Sequence, residues 1–198
     1  MGFPLADGYH VFPPGKLAAV VTWLEMREAP GAGGGLPEGT RLVRVWEPDV
    51  EWYVRIFREI GEPWLWFGRL EMAAAELAQL LAREGVEVYR WEADGETVGL
   101  LELDRRTGGD VEIVYFGLLG GWTGRGMGAA FMAEALRVAW AAGTSRVWLH
   151  TCTLDHPRAL AFYVKSGFVP YQRGLELYDD PRRTGVLPPE AAPQVPIL

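Results

Sequence analysis

The 198-residue sequence predicts an α+β, mixed-sheet sandwich in one domain. Three observations point there. Strand-like and helix-like segments succeed one another as ββαα, then three strands, then α-β-α-β. The three middle strands are joined by short turns at Asp94-Gly95 and Thr107–Asp110, which close hairpins, not crossovers. The predicted helices end on glycines, Gly61, Gly85 and Gly143, before the chain turns extended again.

Taken in order, residues 1–16 are rich in Pro and Gly and form an irregular lead-in. Leu17 to Arg27 is a long first strand. Its apolar run is followed at once by "EMRE", not by the small-residue site that would end a signal peptide. A Gly/Pro loop, residues 29–39, leads to a short second strand, "TRLVRVW". Pro48 opens a helix that runs to Gly61, with Asp49 and Glu51 near its positive end. Residues 71–85, "EMAAAELAQLLAREG", are strong helix formers and make the second helix. "VEVYRWE", "ETVGLLELD" and "VEIVYFGLL" are the meander. A helix over 126–143 follows, then the strand "RVWLHTCTL", a short helix "DHPRALAFYVKSG" with Asp155 as N-cap, and the strand "FVPYQRGLELY". The domain is thus 17–178, and a loose Pro-rich tail covers 179–198.

A net charge of −7 argues against a nucleic-acid partner, which needs clustered Lys and Arg, and tolerates a cationic substrate. No apolar run approaches the ~20 residues of a membrane span, so no membrane partner is expected. Cys152 is the single cysteine, which forbids an internal disulfide and suits a reducing cytoplasm. Between its two threonines it reads as a small buried residue, not a nucleophile. His10, His150 and His156 have no metal-ligand spacing with it, so no metal is expected.

The segment between the meander and the third helix carries five glycines from Gly120 to Gly128. A helix N-terminus bares N–H groups and the positive end of the helix dipole, and glycines let an anion approach them, so a diphosphate is a natural ligand. The other reading is a tight turn with close helix packing. "GRGMGA" also satisfies the loose dinucleotide fingerprint G-x-G-x-x-A. That fingerprint wants an acidic residue ~20 positions on, at the end of the next strand, and "RVWLHTC" ends without one.

The stretch "GLLGGWTGRGMGAAFM" resembles the acetyl-CoA-binding motif of the GNAT superfamily of N-acetyltransferases, Q/R-x-x-G-x-G/A after a strand. Its core falls on Thr123, Gly124, Arg125, Gly126, Met127 and Gly128, followed by Ala129. Downstream, Ala159, Tyr163, Gly167 and Phe168 resemble the second family motif, N-x-x-A-x-x-x-Y-x-x-x-G-F. The resemblance covers about Val86 to Tyr178. Two positions depart from it: Thr123 stands at the Q/R position and His156 at the Asn position. The resemblance implies a GNAT-like fold, a central mostly antiparallel twisted sheet with helices on both faces. It also implies acetyl-CoA as acyl donor, held by residues 123–129 and His156, and an oxyanion met by a backbone N–H of Leu118 or Leu119. A homodimer is an assembly it allows.

Acyl transfer to an amine needs a neutral amine, donors for the oxyanion and a proton for the leaving thiolate. A lysine-like amine with pKa ~10.4 is free base in about one molecule per few thousand at neutral pH, so a positioned base is useful. Glu112 is the first candidate. On a regularly alternating strand it is a lone carboxylate on the face of Val114, Phe116 and Leu118, where burial would raise its pKa. The resemblance adds that a catalytic Glu of the histone-acetyltransferase branch stands at this distance before the turn arginine. The alternative is a solvent-facing Glu. His150 is the rival base, since imidazoles ordinarily titrate near neutrality, and a water path would need neither. Tyr163, on its match to the family tyrosine, is the general acid.

The acceptor pocket, by the resemblance, is built by the first two helices and their linker, here "GEPWLWFGRLEM" with Trp64, Trp66 and Phe67. Such rings can cage a cation or simply pin the helices to the sheet. The reading is an acetyl-CoA-dependent N-acetyltransferase acting on a small-molecule or peptide amine by direct attack in a ternary complex. A different class, an acyl-CoA-binding sensor or interaction module without turnover, keeps the same glycine turn, and a Rossmann-like domain would prefer NAD or S-adenosylmethionine.

Overall fold

The computed structural model describes residues 6–31, 37–123, 126–141 and 143–198. Its strands are β1 Lys16–Met26, β2 Thr40–Val45, β3 Val86–Ala93, β4 Glu96–Asp104, β5 Asp110–Leu118, β6 Arg146–Cys152 and β7 Val169–Asp179. Its helices are α1 Val50–Gly61, α2 Ala74–Leu81, α3 Met127–Ala139 and α4 Ala159–Lys165. The strands form one sheet in the order β2-β3-β4-β5-β6-β1-β7. All neighbours are antiparallel except β5 and β6.

Each face of the sheet carries helices. On one, Tyr53, Ile56, Phe57 and Ile60 of α1, at helical spacing, join Leu77 and Leu81 of α2 over Val88 and Leu100. On the other, Phe131, Met132, Ala135 and Leu136 of α3 pack on Trp91, Leu101, Leu103 and Ile113, with Phe162 and Tyr163 of α4 beside them. Phe131 and Trp91 are both fully buried and stacked at 5.2 Å. Burial of each such ring contributes about 1.5–3 kcal/mol. Among the described residues no helix is long and apolar enough to cross a membrane.

Local chemistry moves several boundaries. Asp49 caps α1, its carboxylate accepting from the Trp52 N–H at 2.8 Å, so Pro48 precedes the helix instead of sitting in its first turn. The second helix is shorter than its helix formers suggest, and residues 71–73 stay outside it. Asp155 does not cap α4, which starts only at Ala159. Its carboxylate accepts instead from Thr151 Oγ1 at 2.7 Å, the Cys152 N–H at 2.8 Å and Trp66 Nε1 at 3.2 Å.

Two long-range features were invisible in the sequence. The first strand is interior, next to the edge, clamped antiparallel between β6 and β7. And the segment after β7, expected to be loose, is packed: Leu187, Ala191 and Ala192 are buried with Leu17 and Leu65, under Phe67 and Tyr178.

Candidate active site

Parallel pairing of β5 with β6 lasts only from Asp110/Arg146 to Glu112/Trp148. Beyond it the strands part, and two cavities open at the gap. The larger, about 560 Å³, includes Leu118, Thr123, Gly126, Gly128, Ala129 and His156 in its lining. The smaller, about 210 Å³, includes Phe67, Tyr115, His150, Cys152, Glu176 and Tyr178. Trp64, Trp66, Phe116, Asp155 and Tyr163 line both.

A bulge in β5 sets which way its side chains face. Glu102 pairs with Tyr115 and Leu103 with Ile113, leaving Val114 as the extra residue. The bulge turns Tyr115 onto the α1 side, while Phe116 and Leu118 pack on the α3 core with Ile113. The expectation that Glu112 shares a face with Phe116 and Leu118 is therefore corrected. Glu112 lies among charges instead: Asp104, Glu102, Arg69 and Arg106 all act on it. Burial first, and the Asp104 charge second, push its carboxyl up to about 7. Its side chain is 21% exposed, and its Oε1 lies 3.7 Å from His150 Nδ1. The two rival bases are neighbours. His150 reaches the smaller cavity, and Glu112 stands behind it.

Beneath Glu112 lies a buried ion pair. Glu102 is 1% exposed, accepts from the Tyr53 hydroxyl, and is held by Arg69 at 2.5 Å. The Arg69 guanidinium also lies 5.0 Å over the Tyr115 ring. This cluster ties the linker after α1 to the sheet floor.

In the larger cavity, Gly126 is the residue that begins α3, and its φ of 76° lies in the left-handed region that glycine adopts freely. The first N–H groups of a helix have no partner one turn back, and Gly126 and Gly128 face the cavity beside Ala129, whose own N–H donates to the Gly126 carbonyl at 3.1 Å. Met127 is 7% exposed with its side chain in the core, so it can contribute only backbone. Gly124 and Arg125 lie outside the described residues. Leu119 is excluded as oxyanion donor, because its N–H already donates to the Val98 carbonyl at 2.9 Å and its side chain packs on the α1 side. By strand alternation the Leu118 N–H points away from β4, into the gap. His156 accepts from the Arg158 N–H through Nδ1 at 3.1 Å, and its ring meets Trp64 edge-on at 4.9 Å. Arg158 and Lys165 also line this cavity. Sequence reasoning missed them, although basic residues seven apart on the short helical segment share one side of it.

The linker aromatics both pin and line. Trp66 packs on Phe57 at 5.6 Å and Tyr115 at 5.2 Å, and Phe67 on Tyr178 at 4.9 Å. A Cβ on Gly61 would lie 2.6 Å from Trp66 Cγ, so glycine there is what lets the indole in. Tyr163 packs on the α3 core, and burial raises its phenol far above the usual range. Cys152 lines the smaller cavity, but burial and the Asp155 charge push its thiol up to about 11, against a nucleophilic role. Among the described residues no group of three His, Cys, Asp or Glu could hold a metal ion.

A sheet that parts beside a glycine-opened helix N-terminus, with two cavities sharing Tyr163 in their walls, characterises this α+β domain. The chain belongs to the GNAT acetyltransferases: residues 50–168 match the sequence profile of the Acetyltransferase (GNAT) family. An uncharacterised N-acetyltransferase of Mycobacterium tuberculosis is 35% identical over 97 residues, 49% of this chain and 62% of that protein, and its Mycobacterium bovis counterpart matches equally. The chain thus matches somewhat less than two thirds of the length of these relatives. Among solved structures, a GCN5-related N-acetyltransferase from Sphaerobacter thermophilus superposes with a TM-score of 0.60 at 20% identity, over 84% of this chain and 52% of that one. An aminoglycoside acetyltransferase from a soil metagenome, solved with sisomicin, superposes at 0.54 and 16% identity, over 65% and 87%. These two likenesses bear on the fold.

Proposed function

We propose that the protein is an acetyl-CoA-dependent N-acetyltransferase that acetylates a small primary amine by direct attack in a ternary complex. The observation that carries this is the shared wall: the two cavities meet at Tyr163, Phe116, Trp64, Trp66 and Asp155, where β5 and β6 part. The residues fit the donor. The α3 N-terminus at Gly126, Gly128 and Ala129 suits a diphosphate, Arg158 and Lys165 add positive charge, and the apolar Phe116, Leu118, Ala161 and Phe162 suit an acyl-bearing arm.

In this reading the amine enters the smaller cavity and gives up its proton to the His150–Glu112 pair, His150 passing it to the carboxylate behind. The amine nitrogen bonds to the thioester carbonyl carbon, and the carbonyl oxygen gains charge against the Leu118 N–H. As the carbonyl re-forms, the carbon–sulfur bond breaks and the nitrogen sheds its second proton, which balances the one the thiolate takes up. Tyr163 faces the departing sulfur. A phenol at its ordinary ~10 already gives up its proton less readily than a thiol at ~8.5, and burial widens the gap. Tyr163 therefore acts first as a hydrogen-bond donor to sulfur, and full transfer completes only as charge builds there.

The acceptor is small. A cavity of about 210 Å³ is below the ~300 Å³ at which pockets hold drug-sized ligands, so it suits a small amine, and a larger acceptor would leave most of its body outside. The carboxylates of Asp155 and Glu176 on its wall favour a cationic amine. The test is release of free thiol from acetyl-CoA with putrescine, histamine, lysine, tryptamine and sisomicin, beside calorimetric titration with acetyl-CoA, NAD and S-adenosylmethionine. Thiol release with a small amine supports the reading. Acetyl-CoA binding with no turnover across a wide amine panel would favour the sensor class, and binding of NAD without acetyl-CoA would overturn both.

A further inference from the structure

Leu65 lies in the linker after α1 at φ 57° and ψ 37°, a left-handed conformation unusual for a branched side chain. Such backbone persists where its surroundings over-determine it. Leu65 is 3% exposed, and what covers it is the chain's C-terminal segment: Leu187, Ala191 and Ala192 pack on it in one apolar cluster, with Phe67 and Tyr178 at the margin. Gln194 Nε2 reaches back to donate to the Pro63 carbonyl at 2.7 Å. Leu65, Phe67 and Tyr178 also line the smaller cavity.

The segment holds its own shape through one side chain. Arg182, 5% exposed, chelates Asp180 at 2.9 and 2.7 Å and donates through Nη1 to the carbonyls of Ala191 at 3.2 Å, Ala192 at 3.3 Å and Val195 at 2.8 Å. Ala192 is itself left-handed, at φ 47°. The guanidinium thus gathers carbonyls that this strandless, helixless stretch leaves without a ladder. All of this lies beyond the residues that match the family, 50–168.

We propose that residues 180–198 are a strut for the acceptor pocket, and that Arg182 is a positioning residue for the reaction: it folds the strut, the strut holds Leu65 to Phe67, and these hold the amine. The catalytic part rests on the smaller cavity being the acceptor site, whereas the mechanical part stands without it. Among the described residues, none of the segment's apolar-cluster or side-chain hydrogen-bond partners lines only the larger cavity, so donor binding is expected to be independent of it.

The experiment compares the full chain with Arg182→Ala, Arg182→Lys and Gln194→Ala. Hydrogen–deuterium exchange is read over residues 62–68, acetyl-CoA affinity by calorimetry, and KM and kcat with the best-used amine of the panel above. Arg182→Ala is expected to speed exchange in 62–68 at least tenfold while β3, β4 and α3 stay protected, and to leave acetyl-CoA affinity within twofold. KM for the amine rises tenfold or more with kcat within threefold. Arg182→Lys recovers little, since an ammonium cannot serve a carboxylate and three carbonyls at once. Gln194→Ala, on the surface, shifts exchange the same way by a smaller factor and guards against a misfolded Arg182 variant. Unchanged exchange in 62–68, or a rise spread evenly over the sheet, overturns the strut. Faster local exchange with an unchanged amine KM overturns its catalytic part. Absence of turnover by the unaltered protein counts against the acceptor reading, and exchange still decides the strut.

Discussion

Replacing Glu112 by Gln should make the protein more stable and less active, with both effects growing as pH rises. The carboxyl is held at about 7 against an ordinary 4.5, chiefly by burial. The folded protein therefore binds this proton more tightly than the unfolded chain does. The stability so gained is complete below pH 4.5 and is lost as pH rises through about 7. At ~1.36 kcal/mol per pH unit the full cost of ionising it is roughly 3 kcal/mol. The side chain is 21% exposed, so water screens part of this and about 1–2 kcal/mol remains. Glutamine keeps the shape and never ionises. For a domain of this size each kcal/mol is worth ~2–4 °C, so the variant should melt roughly 2–8 °C above the parent at pH 8 and level with it near pH 4.5. Other carboxylates titrate in both proteins and cancel in the difference. Paired thermal melts across pH 4.5–8.5 make the measurement. A gap that does not change with pH, or a less stable variant at pH 8, would refute the burial argument. In the parent, turnover should climb with pH through about 7, and that limb should vanish in the variant.

Three further outcomes follow from the same geometry. Tyr163→Phe should lower kcat about 10²-fold while leaving acetyl-CoA affinity nearly unchanged, as titration calorimetry beside steady-state kinetics would record. A Cβ at Gly117 would overlap Ile60 and come within 3.1 Å of Trp66, so Gly117→Ala should cost about 1–3 kcal/mol in urea denaturation and blunt amine turnover; a neutral result would mean α1 shifts freely. Glu102→Ala strips the partner from the Arg69 guanidinium and the Tyr53 hydroxyl and should cost about 3–5 kcal/mol, whereas an isosteric apolar replacement of both Glu102 and Arg69 should cost much less.

Periodicity and turn residues made most of the elements legible, because they are local: the Asp94-Gly95 turn, the α1 stripe and the glycine-opened α3 need only their own neighbours. What the sequence hid was set by distant partners. Nothing in Lys16–Met26 says that it pairs with strands more than a hundred residues away. Pro-rich composition after β7 reads as loose because it offers no ladder, yet one arginine supplies the missing donors. Asp155 has the chemistry of an N-cap, but Thr151, Cys152 and Trp66 compete for its oxygens and win. The glycine turn and Tyr163 were readable as a pair of motifs. Arg158 and Lys165 were not, since surface cations declare a partner only once a cavity is seen beside them.

The Val114 bulge shows how one residue redirects the side chains of a strand. Along an unbroken strand, Glu112, Phe116 and Leu118 would share a face, and the carboxylate would sit on the α3 side. The extra residue reverses the alternation, so that Tyr115 turns to the α1 side with the charges around Glu112, while Phe116 and Leu118 turn to the α3 side. The same strand parts from β6 just after Glu112, which leaves the Leu118 N–H in the gap beside the larger cavity. Removing Val114 should therefore do more than shorten a strand. It should turn Glu112 away from His150, abolish the ionisation-linked stability difference between the parent and its Glu112→Gln form, and leave the α3 N-terminus able to bind acetyl-CoA. Pairing that deletion with Glu112→Gln in the pH-resolved melts separates a carboxylate held by its neighbours from one that is merely buried: a pH-dependent gap that survives the deletion would deny the bulge its role.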